Sequence, residues 1–260
     1  MAKIGEKNFM DNKVTDNVKI MTLNVNGFRG CTKEQSVSNE ICMENMKQIK
    51  DLIDNVICNK NDIIVLQEIP HKIKIGKGCW RYNPLFNSFE EMFKGYKISK
   101  PKHLIDSLQC TVAICKKESL WKELPEDVLQ YDEKYSYGNK FVELQCESII
   151  LLGVHMPTNN ETWDLLIQTL SDTPYTYVVG DFNANERRGT MANKPKELRK
   201  CGYNSLIANN IITCYLYKTS IDNIFIMSDY IVNKNVSIKI VNTNLTDHAL
   251  CMMEHEDKLF

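Results

Sequence analysis

The sequence predicts an α/β fold in which two packed β-sheets are flanked by helices within one domain. Short runs of β-branched and aliphatic residues recur, and each ends abruptly at Gly, Asn, Asp, Glu or His, as buried strands do. The helical segments are few and unevenly spaced, and no linker, repeat or low-complexity stretch divides the 260 residues. We therefore expect a polar N-terminal extension over residues 1–17 and a single domain over residues 18–260.

Composition limits the classes of function. The formal net charge is −1, so nucleic-acid binding would need a local basic patch, and a strongly basic architectural DNA-binding protein is disfavoured. The ten cysteines include no C-x-x-C pair, and several lie within apolar runs, which is typical of reduced thiols. Neither a signal peptide nor a stretch long enough to span a membrane is recognisable. We expect a cytoplasmic protein without membrane contacts.

The first two predicted strands end on polar residues. Residues 18–25 form the first strand, which delivers Asn24 to an Asn-Gly turn. Residues 39–59 follow with the spacing of an amphipathic helix. The second strand, residues 62–68, ends on Glu68, and a carboxylate there is costly unless it reaches water, a partner or a cation. Alternatively, Asn24 is a turn residue and Glu68 a surface strand end.

The middle of the chain contains an aromatic segment and three further strands. Residues 69–106 are predicted to be irregular, with six aromatic residues among Lys and Gly. Such a segment either packs on its own rings, which we favour, or stacks on bases. Strands follow within residues 109–115 and 141–155, and the last ends on His155. A histidine leaving a strand is either a structural group or a proton donor.

The strongest local signal is the stretch 177–183, where three apolar residues run into Gly180-Asp181-Phe182-Asn183. A buried strand would hold the Asp181 carboxylate and the Asn183 amide rigidly at its exit, facing one cleft. Hard divalent cations and phosphate groups are bound by such groups. A plain strand-to-turn junction is the alternative, since Asp and Asn also favour turns.

A basic segment follows this strand. Arg187 and Arg188 open it, and further Lys and Arg residues continue to Lys200. Its position directly after the stretch 177–183 makes it a candidate for phosphate contacts. A solvated basic helix is the alternative.

The C-terminal part returns to acids and histidine. A strand over residues 220–226 carries Asp222, and Asp247 and His248 open the last strand. Both side chains can reach a cleft edge at a strand entrance, where a carboxylate can orient an imidazole. The positions 248, 251 and 255 have a spacing that metal ligands also show, but two strand residues and a tail histidine explain it better.

Six of these segments, in this order, resemble motifs of the endonuclease/exonuclease/phosphatase superfamily, and they cover nearly the whole chain beyond residue 17. The resemblance implies a four-layer α/β sandwich of the DNase I type and a Mg²⁺-dependent phosphoester hydrolase in which Mn²⁺ may substitute. The matching segments are Leu23–Arg29, Leu66–Glu68, Val154–Pro157, Gly180–Ala184, Ile221–Ile224 and Thr246–His248.

The resemblance implies a metal site and a set of phosphate contacts. Glu68 would be the main metal ligand, with Asn24 close to the metal and Asp247 beside it. The candidate substrate contacts are Asn26, Arg29, Arg187 and Arg188.

The resemblance also implies the catalytic groups. Asp181 would orient or deprotonate the attacking water, and Asn183 would hold the phosphate. His248, positioned by Asp247, would stabilise charge in the transition state, and Asp222 would complete the acidic cluster. His155 is similar to the second histidine of the DNase-like branches, where it would protonate the leaving oxygen.

Two departures leave the branch open. The segment Asn24–Arg29 is closest to the exonuclease III-like repair branch, which usually has a Tyr where this chain has Gln109 and usually lacks a histidine at the position of His155. We expect a nuclease that acts on nucleic acid, DNA in the first place, as a monomer. The alternatives are a phosphatase or phosphodiesterase of small phosphoesters on the same fold, and a non-catalytic binding protein.

Overall fold

The computed structural model describes residues 18–34, 36–125, 138–173, 175–187, 189–231 and 235–256. The predicted extension over residues 1–17 lies outside these ranges. None of the helices in the described ranges has the length and apolar character needed to cross a bilayer. All ten cysteines are described, and none forms a disulfide.

The described residues form fourteen strands, five α-helices and two 3₁₀ turns. The strands are β1 (Lys19–Asn24), β2 (Ile63–Pro70), β3 (Lys72–Gly76), β4 (Cys79–Tyr82), β5 (Tyr96–Ser99), β6 (Gln109–Lys116), β7 (Lys122–Glu123), β8 (Phe141–Cys146), β9 (Ile149–His155), β10 (Tyr177–Asp181), β11 (Tyr203–Ser205), β12 (Asp222–Met227), β13 (Asn235–Val241) and β14 (Leu250–Glu256). The helices are α1 (Asn39–Val56), α2 (Pro84–Met92), α3 (Asn160–Asp172), α4 (Lys194–Lys200) and α5 (Ser228–Ile231).

Twelve of the strands form two six-stranded sheets. The first has the order β13-β14-β1-β2-β6-β5 and the second the order β11-β12-β10-β9-β8-β7. Each sheet has one central parallel pair, β1 with β2 and β9 with β10, and antiparallel neighbours on both sides. Because the members of a parallel pair end at the same edge, residues at the ends of β1 and β2, and of β9 and β10, become neighbours.

The two sheets pack face to face on a shared apolar layer. Val65 and Ala113 of the first sheet join Leu144, Val179 and Ile224 of the second in one buried cluster. The sheets approach closely at Gly153 on β9, where an added Cβ would lie 2.7 Å from Cγ1 of Val65 in the first sheet and of Val142 on the adjacent strand β8. A side chain at this position would push the sheets apart, so glycine sets their separation.

Helices cover the outer face of each sheet. The hydroxyl of Ser38 caps α1 by accepting from the backbone nitrogen of Ile41 at 3.4 Å, as an N-cap residue does. The buried face of α1 packs on the first sheet. α3 and α4 cover the second sheet through Trp163, Leu166 and Leu198. The layers are therefore helix, sheet, sheet and helix, and the predicted four-layer α/β sandwich is confirmed.

The prediction for residues 69–106 is wrong in one respect, because the segment is not irregular. It contains the separate β3–β4 hairpin, then α2, then the edge strand β5. The interpretation that its aromatic rings pack on one another agrees with the structure for Phe86, Phe89 and Phe93, which are buried. The ring centroids are 6.5 Å apart between Phe86 and Phe89 and 4.8 Å apart between Phe89 and Phe93. Tyr82 differs from these rings, because 57% of it is exposed.

Candidate active site

The predicted polar residues meet at one edge of the sandwich. Asn24 ends β1, and Glu68 lies near the end of its parallel neighbour β2. In the second sheet Asp181 ends β10 and stands in register with His155 of β9 and with Asp222 of β12. The alternation between apolar core and polar strand end therefore delivers carboxylates from both sheets to one place.

Glu68 reaches this edge through an irregularity in its strand. The pairing between β2 and β6 shifts between Leu66 and Ile69, and Glu68 between them has φ 60°. This left-handed conformation is costly for a residue with a side chain, and such strain concentrates at functional sites. The bulge re-aims the carboxylate, as bulges next to active sites do.

A glycine and an asparagine position Asp181. Gly180 has φ +151°, and a Cβ there would lie 1.9 Å from the carbonyl oxygen of Val154, so only glycine allows β10 to run this close to β9. After the strand, Asn183 adopts φ 47° and its backbone nitrogen donates to Oδ1 of Asp181 at 2.8 Å. The side-chain nitrogen of Asn183 donates to the carbonyl of Met156 at 2.9 Å. The loop is thereby fixed on both sides of the carboxylate.

The amide of Asn24 joins the two sheets at the site. Its nitrogen donates to Oε1 of Glu68 at 3.1 Å and to Oδ2 of Asp181 at 2.9 Å. Its oxygen accepts from the backbone nitrogen of Asn26 at 2.9 Å. Asn24 thus holds two carboxylates through its nitrogen, whereas a metal ligand would have to offer its oxygen.

His248 is paired with a carboxylate other than the expected one. Its Nδ1 lies 3.0 and 2.9 Å from the two carboxylate oxygens of Asp222, while the carboxylate of Asp247 accepts from the hydroxyl of Thr246 at 3.3 Å. Burial lowers the pKa of His248, but the negative charge and hydrogen bonds of Asp222 outweigh it and raise that pKa well above the ordinary value. The hydrogen-bond partner of His248 is therefore Asp222 and not the expected Asp247.

The oxygen donors of the site suit a hard divalent cation. A cavity of about 230 Å³ is lined by the carboxylates of Glu68, Asp181 and Asp247 and by His248. Carboxylate oxygens are the ligands that Mg²⁺ and Mn²⁺ prefer. The sulfur of Cys214 also lies within 4.8 Å of ligand atoms of Asp247 and His248, but a single thiol beside several carboxylates does not form a soft metal site.

The charges of the site favour a bound cation as well. Burial, together with the negative charge of Asp222, raises the pKa of Asp181 to about 7. Burial also acts to raise the pKa of Glu68, but hydrogen bonds from the amides of Asn24 and Gln109 and the positive charge of His248 lower it overall. The carboxylates of Glu68 and Asp181, which share the amide of Asn24 as a donor, repel each other when both are ionised, and a cation beside them relieves the repulsion.

His155 has a partner that the sequence did not reveal. Nζ of Lys140, in a 3₁₀ turn over Gly138–Lys140, lies 3.0 Å from Nδ1 of His155. Nε2 lies 3.7 Å from Oε1 of Glu68 and 4.0 Å from Oδ2 of Asp181. Because an ammonium can only donate, Nδ1 is the acceptor and the proton of the neutral ring is on Nε2. Burial and the charge of Lys140 lower the pKa of His155 to about 3.

The neighbours of Glu68 include one predicted residue and one missed residue. Nε2 of Gln109, at the start of β6, donates to Oε2 of Glu68 at 2.6 Å. Nη2 of Arg29 lies 3.6 Å from the same oxygen. Asn26 is buried and its side-chain nitrogen donates to the carbonyl of Gly30 at 2.9 Å, so its amide shapes the loop that carries Arg29. In the sequence, Gln109 stands out only because the repair branch usually has a Tyr at its position.

The basic segment after β10 lies away from these groups. Arg187 is exposed and does not line the cavity of the site, and Arg188 lies outside the described residues. In α4, Lys194 pairs with Asp164 at 2.7 Å, and Arg199 forms a two-point ion pair with Glu186. Two of the cations predicted to contact phosphates, Lys194 and Arg199, are therefore already paired with carboxylates.

Comparison with known proteins gives matches to solved structures alone. Neither the protein-family models nor the curated sequences contain a match. The endonuclease domain of TRAS1, a telomere-specific non-LTR retrotransposon, has a TM-score of 0.61 at 11% identity over 93% of this chain and 99% of that chain. An AP endonuclease from Archaeoglobus fulgidus has a TM-score of 0.57 at 15% identity over 92% of this chain and 100% of that chain. The 3′ phosphatase NExo from Neisseria, bound to a product DNA hairpin, has a TM-score of 0.60 at 14% identity over 92% of this chain and 99% of that chain.

These matches define the class of fold. The chain is a four-layer sandwich of the DNase I-like type, matched along nearly its whole length. This is the fold of the endonuclease/exonuclease/phosphatase superfamily, and the resemblance that the six motifs indicate is confirmed at the level of the fold.

Proposed function

We propose that the protein is a divalent-metal-dependent phosphodiesterase that cleaves nucleic acid, DNA in the first place. This proposal rests on one observation. The side-chain nitrogen of Asn24 donates hydrogen bonds both to Glu68 of one sheet and to Asp181 of the other, so the two carboxylates face each other across the site. A phosphodiester is anionic and repels hydroxide, and a metal ion held by carboxylates beside a cationic imidazole would reduce this repulsion.

Glu68 and Asp247 would hold the metal ion, Mg²⁺ with Mn²⁺ as a substitute, while Asn24 keeps Glu68 and Asp181 in place. The bound ion would neutralise the phosphate charge and lower the pKa of a water molecule. The second oxygen of Glu68 is fixed by Gln109, which leaves the carboxylate few ways to turn.

The remaining groups have roles that follow from their charge. Asp181, whose pKa burial raises to about 7, is suited to accept a proton from the attacking water near neutral pH. His248, kept protonated by Asp222, would stabilise negative charge that develops on the phosphoryl oxygens. His155 would donate a hydrogen bond from Nε2 to the phosphate or leaving oxygen, because a neutral ring with its proton on Nε2 is a donor and a weak acid. Asn183 would border the phosphate from the β10 loop.

The test is cleavage by purified protein of supercoiled plasmid and of a duplex with one abasic site, each with Mg²⁺ or with EDTA. We expect cleavage with Mg²⁺ that EDTA abolishes. Asp181→Ala and His248→Ala should each lower the rate at least about 100-fold with the fold retained. Absence of cleavage of either substrate at high protein concentration would reject the proposal for DNA, and full activity of either variant would reject its assigned role.

A phosphatase or phosphodiesterase of small phosphoesters is the second candidate. The cavity at the carboxylates is small, about 230 Å³, and the overall charge of the chain is close to neutral. A panel of inositol phosphates, nucleotides and DNA 3′-phosphates, assayed for released phosphate, separates this candidate from a nuclease. We further propose that the protein acts as a monomer in the cytoplasm, consistent with ten cysteines that form no disulfide.

A further inference from the structure

The β3–β4 hairpin carries a local excess of positive charge. Its residues 72–82 include four basic residues and no acidic one, in a chain of net charge −1. Lys74, Lys77 and Arg81 are exposed, and none of them forms an ion pair with a described carboxylate. Only Lys72, at the base of the hairpin, is paired, with Asp106 at 2.6 Å. Three free cations therefore stand together on one projecting element.

The hairpin also presents aromatic rings beside these cations. Lys72 stands opposite Tyr82 and Lys74 opposite Trp80, and each ammonium lies over the ring of its partner, at 5.1 and 6.0 Å from the centroid. Tyr82 stacks on Phe86 of α2 with an angle of 13° between the rings, yet 57% of it is exposed. An exposed ring supported from behind and flanked by cations is a surface on which a base or sugar can stack.

A trough connects the hairpin to the carboxylates. A second cavity of about 430 Å³ is lined by Lys72 and Ile73 of the hairpin and by Arg29 and Gln109. Arg29 and Gln109 both contact Oε2 of Glu68, and Arg29 also lines the smaller cavity of the site. A nucleic-acid strand with one phosphate in the site can therefore extend along this trough and reach the hairpin.

We propose that the β3–β4 hairpin is a nucleic-acid-binding element that grips the substrate backbone beside the cleavage site. Lys74, Lys77 and Arg81 neutralise phosphates, and the exposed face of Tyr82 supports a nucleotide between them and the site. This inference rests on the proposed function and specifies its substrate as a polymer long enough to span the site and the hairpin. A small phosphoester would not reach these residues.

The experiment compares two triple variants of the full-length protein. One is Lys74→Ala, Lys77→Ala, Arg81→Ala. The matched control is Lys60→Ala, Lys117→Ala, Lys122→Ala, which removes the same charge from exposed lysines. Lys60 precedes β2 and Lys117 follows the antiparallel β6, so both lie at the sheet end opposite Glu68. The dissociation constant of a short fluorescein-labelled DNA duplex is measured in EDTA at several salt concentrations, and hydrolysis of bis(p-nitrophenyl) phosphate is measured with Mg²⁺.

We expect the hairpin variant to bind the duplex about 10- to 100-fold more weakly at low salt, and the slope of log Kd against log salt to fall by about 2–3, since each phosphate contact contributes about 0.9. The control should change Kd less than about threefold, and both variants should hydrolyse the small ester like the unmodified protein. Equal weakening in both variants, or an unchanged Kd in the hairpin variant, would overturn the inference.

Two further outcomes are informative. If the hairpin variant kept its affinity for DNA and lost binding to vesicles with anionic headgroups, the hairpin would be a membrane-binding element and the inference would be wrong. If the unmodified protein bound the duplex through the hairpin but hydrolysed neither DNA nor bis(p-nitrophenyl) phosphate, the proposed phosphodiesterase function would fail. The inference about binding would stand. The single change Tyr82→Ala should weaken binding of single-stranded DNA several-fold. Leu120→Ala, which truncates an exposed apolar side chain after β6, is the control and should leave binding unchanged.

Discussion

Lys140 and His155 form a partly buried pair in which the lysine ammonium donates to Nδ1 of the imidazole at 3.0 Å. A histidine in a polar site commonly has a carboxylate on its far nitrogen, which raises its pKa and makes it a cation. Here the far nitrogen meets a cation, and the ring is kept neutral with its proton on Nε2, facing Glu68 and Asp181. The site therefore combines one cationic histidine, His248, with one neutral histidine, His155.

Replacement of this lysine should change the state of the ring. In Lys140→Met the donor to Nδ1 is lost, so the Nε2–H form should lose its dominance and the pKa of His155 should rise, because the second cause of its depression is removed. We expect turnover to fall about 10- to 100-fold, as for other changes to the groups that orient a site. Imidazole ¹⁵N shifts and the pH profile of kcat check this. Lys140→Arg retains a cationic donor and should remain close to the unmodified protein; if Lys140→Met left the tautomer unchanged, the pair would have no orienting role.

Asp181 should make the metal-free protein less stable as the pH rises. Its pKa is about 7 in the folded state, mainly because of burial, against about 4 in an unfolded chain. The unfolded chain therefore releases this proton first, and stability falls between about pH 4 and pH 7. In EDTA near pH 8, Asp181→Asn should raise the free energy of unfolding by on the order of 1–3 kcal/mol and abolish cleavage. Urea denaturation checks this, and near pH 4 the difference should vanish; a variant stabilised equally at both pH values would contradict the argument.

Asp222 and Asp247 should differ in their effect on His248. Asp222→Asn removes the charge that keeps His248 protonated, so the pKa of His248 should fall by more than about one unit. Cleavage should decline most at alkaline pH, where His248 then becomes neutral. Asp247→Asn should shift the pKa of His248 much less. Because Asp247 is proposed to hold the metal ion, this variant should need a higher Mg²⁺ concentration for half-maximal cleavage. NMR titration of the histidines checks the comparison, and a larger shift in Asp247→Asn would restore the assignment made from the sequence.

Gly153 should tolerate no side chain while its neighbours are unchanged. In Gly153→Ala the new Cβ meets Val65 and Val142 at 2.7 Å, and overpacking of this kind costs about 1–3 kcal/mol. The double variant Gly153→Ala, Val65→Ala should be destabilised by less than the sum of the two single changes, because the truncated side chain makes room. Urea denaturation of the four proteins checks this, and strict additivity would show that the sheets separate without strain.

The strand ends could be predicted because they depend on local chemistry. An apolar run that stops at a polar residue identifies Asn24, Glu68, His155 and Asp181 without any knowledge of their neighbours. The parallel pairs then bring these residues to the same edge of each sheet. The sequence did not indicate the φ of 60° at Glu68, since the residue type carries no signal for a left-handed conformation.

The partners of these residues depend on tertiary contacts and could not be predicted in the same way. Asp222 holds His248 from 26 positions away along the chain, whereas the adjacent Asp247 is the nearer choice in sequence. Lys140 belongs to a short turn that no periodicity identifies. The β3–β4 hairpin did have a signal, since Lys and Ile alternate from residue 72 to residue 75 and glycines follow at 76 and 78. The many aromatic residues after it obscured that alternation.

The order in which the strands are joined has a consequence for how the chain is made. β1 pairs with β14, and the hydroxyl of Thr246 donates to the carbonyl of Asn24 across 222 positions of sequence. During synthesis β1 must wait for β14 before its sheet is complete, and contacts of such long range form late. A ribosome-bound intermediate therefore lacks His248 and an assembled cleft. A nascent chain that has not yet paired β14 with β1 would therefore lack any activity that depends on this site.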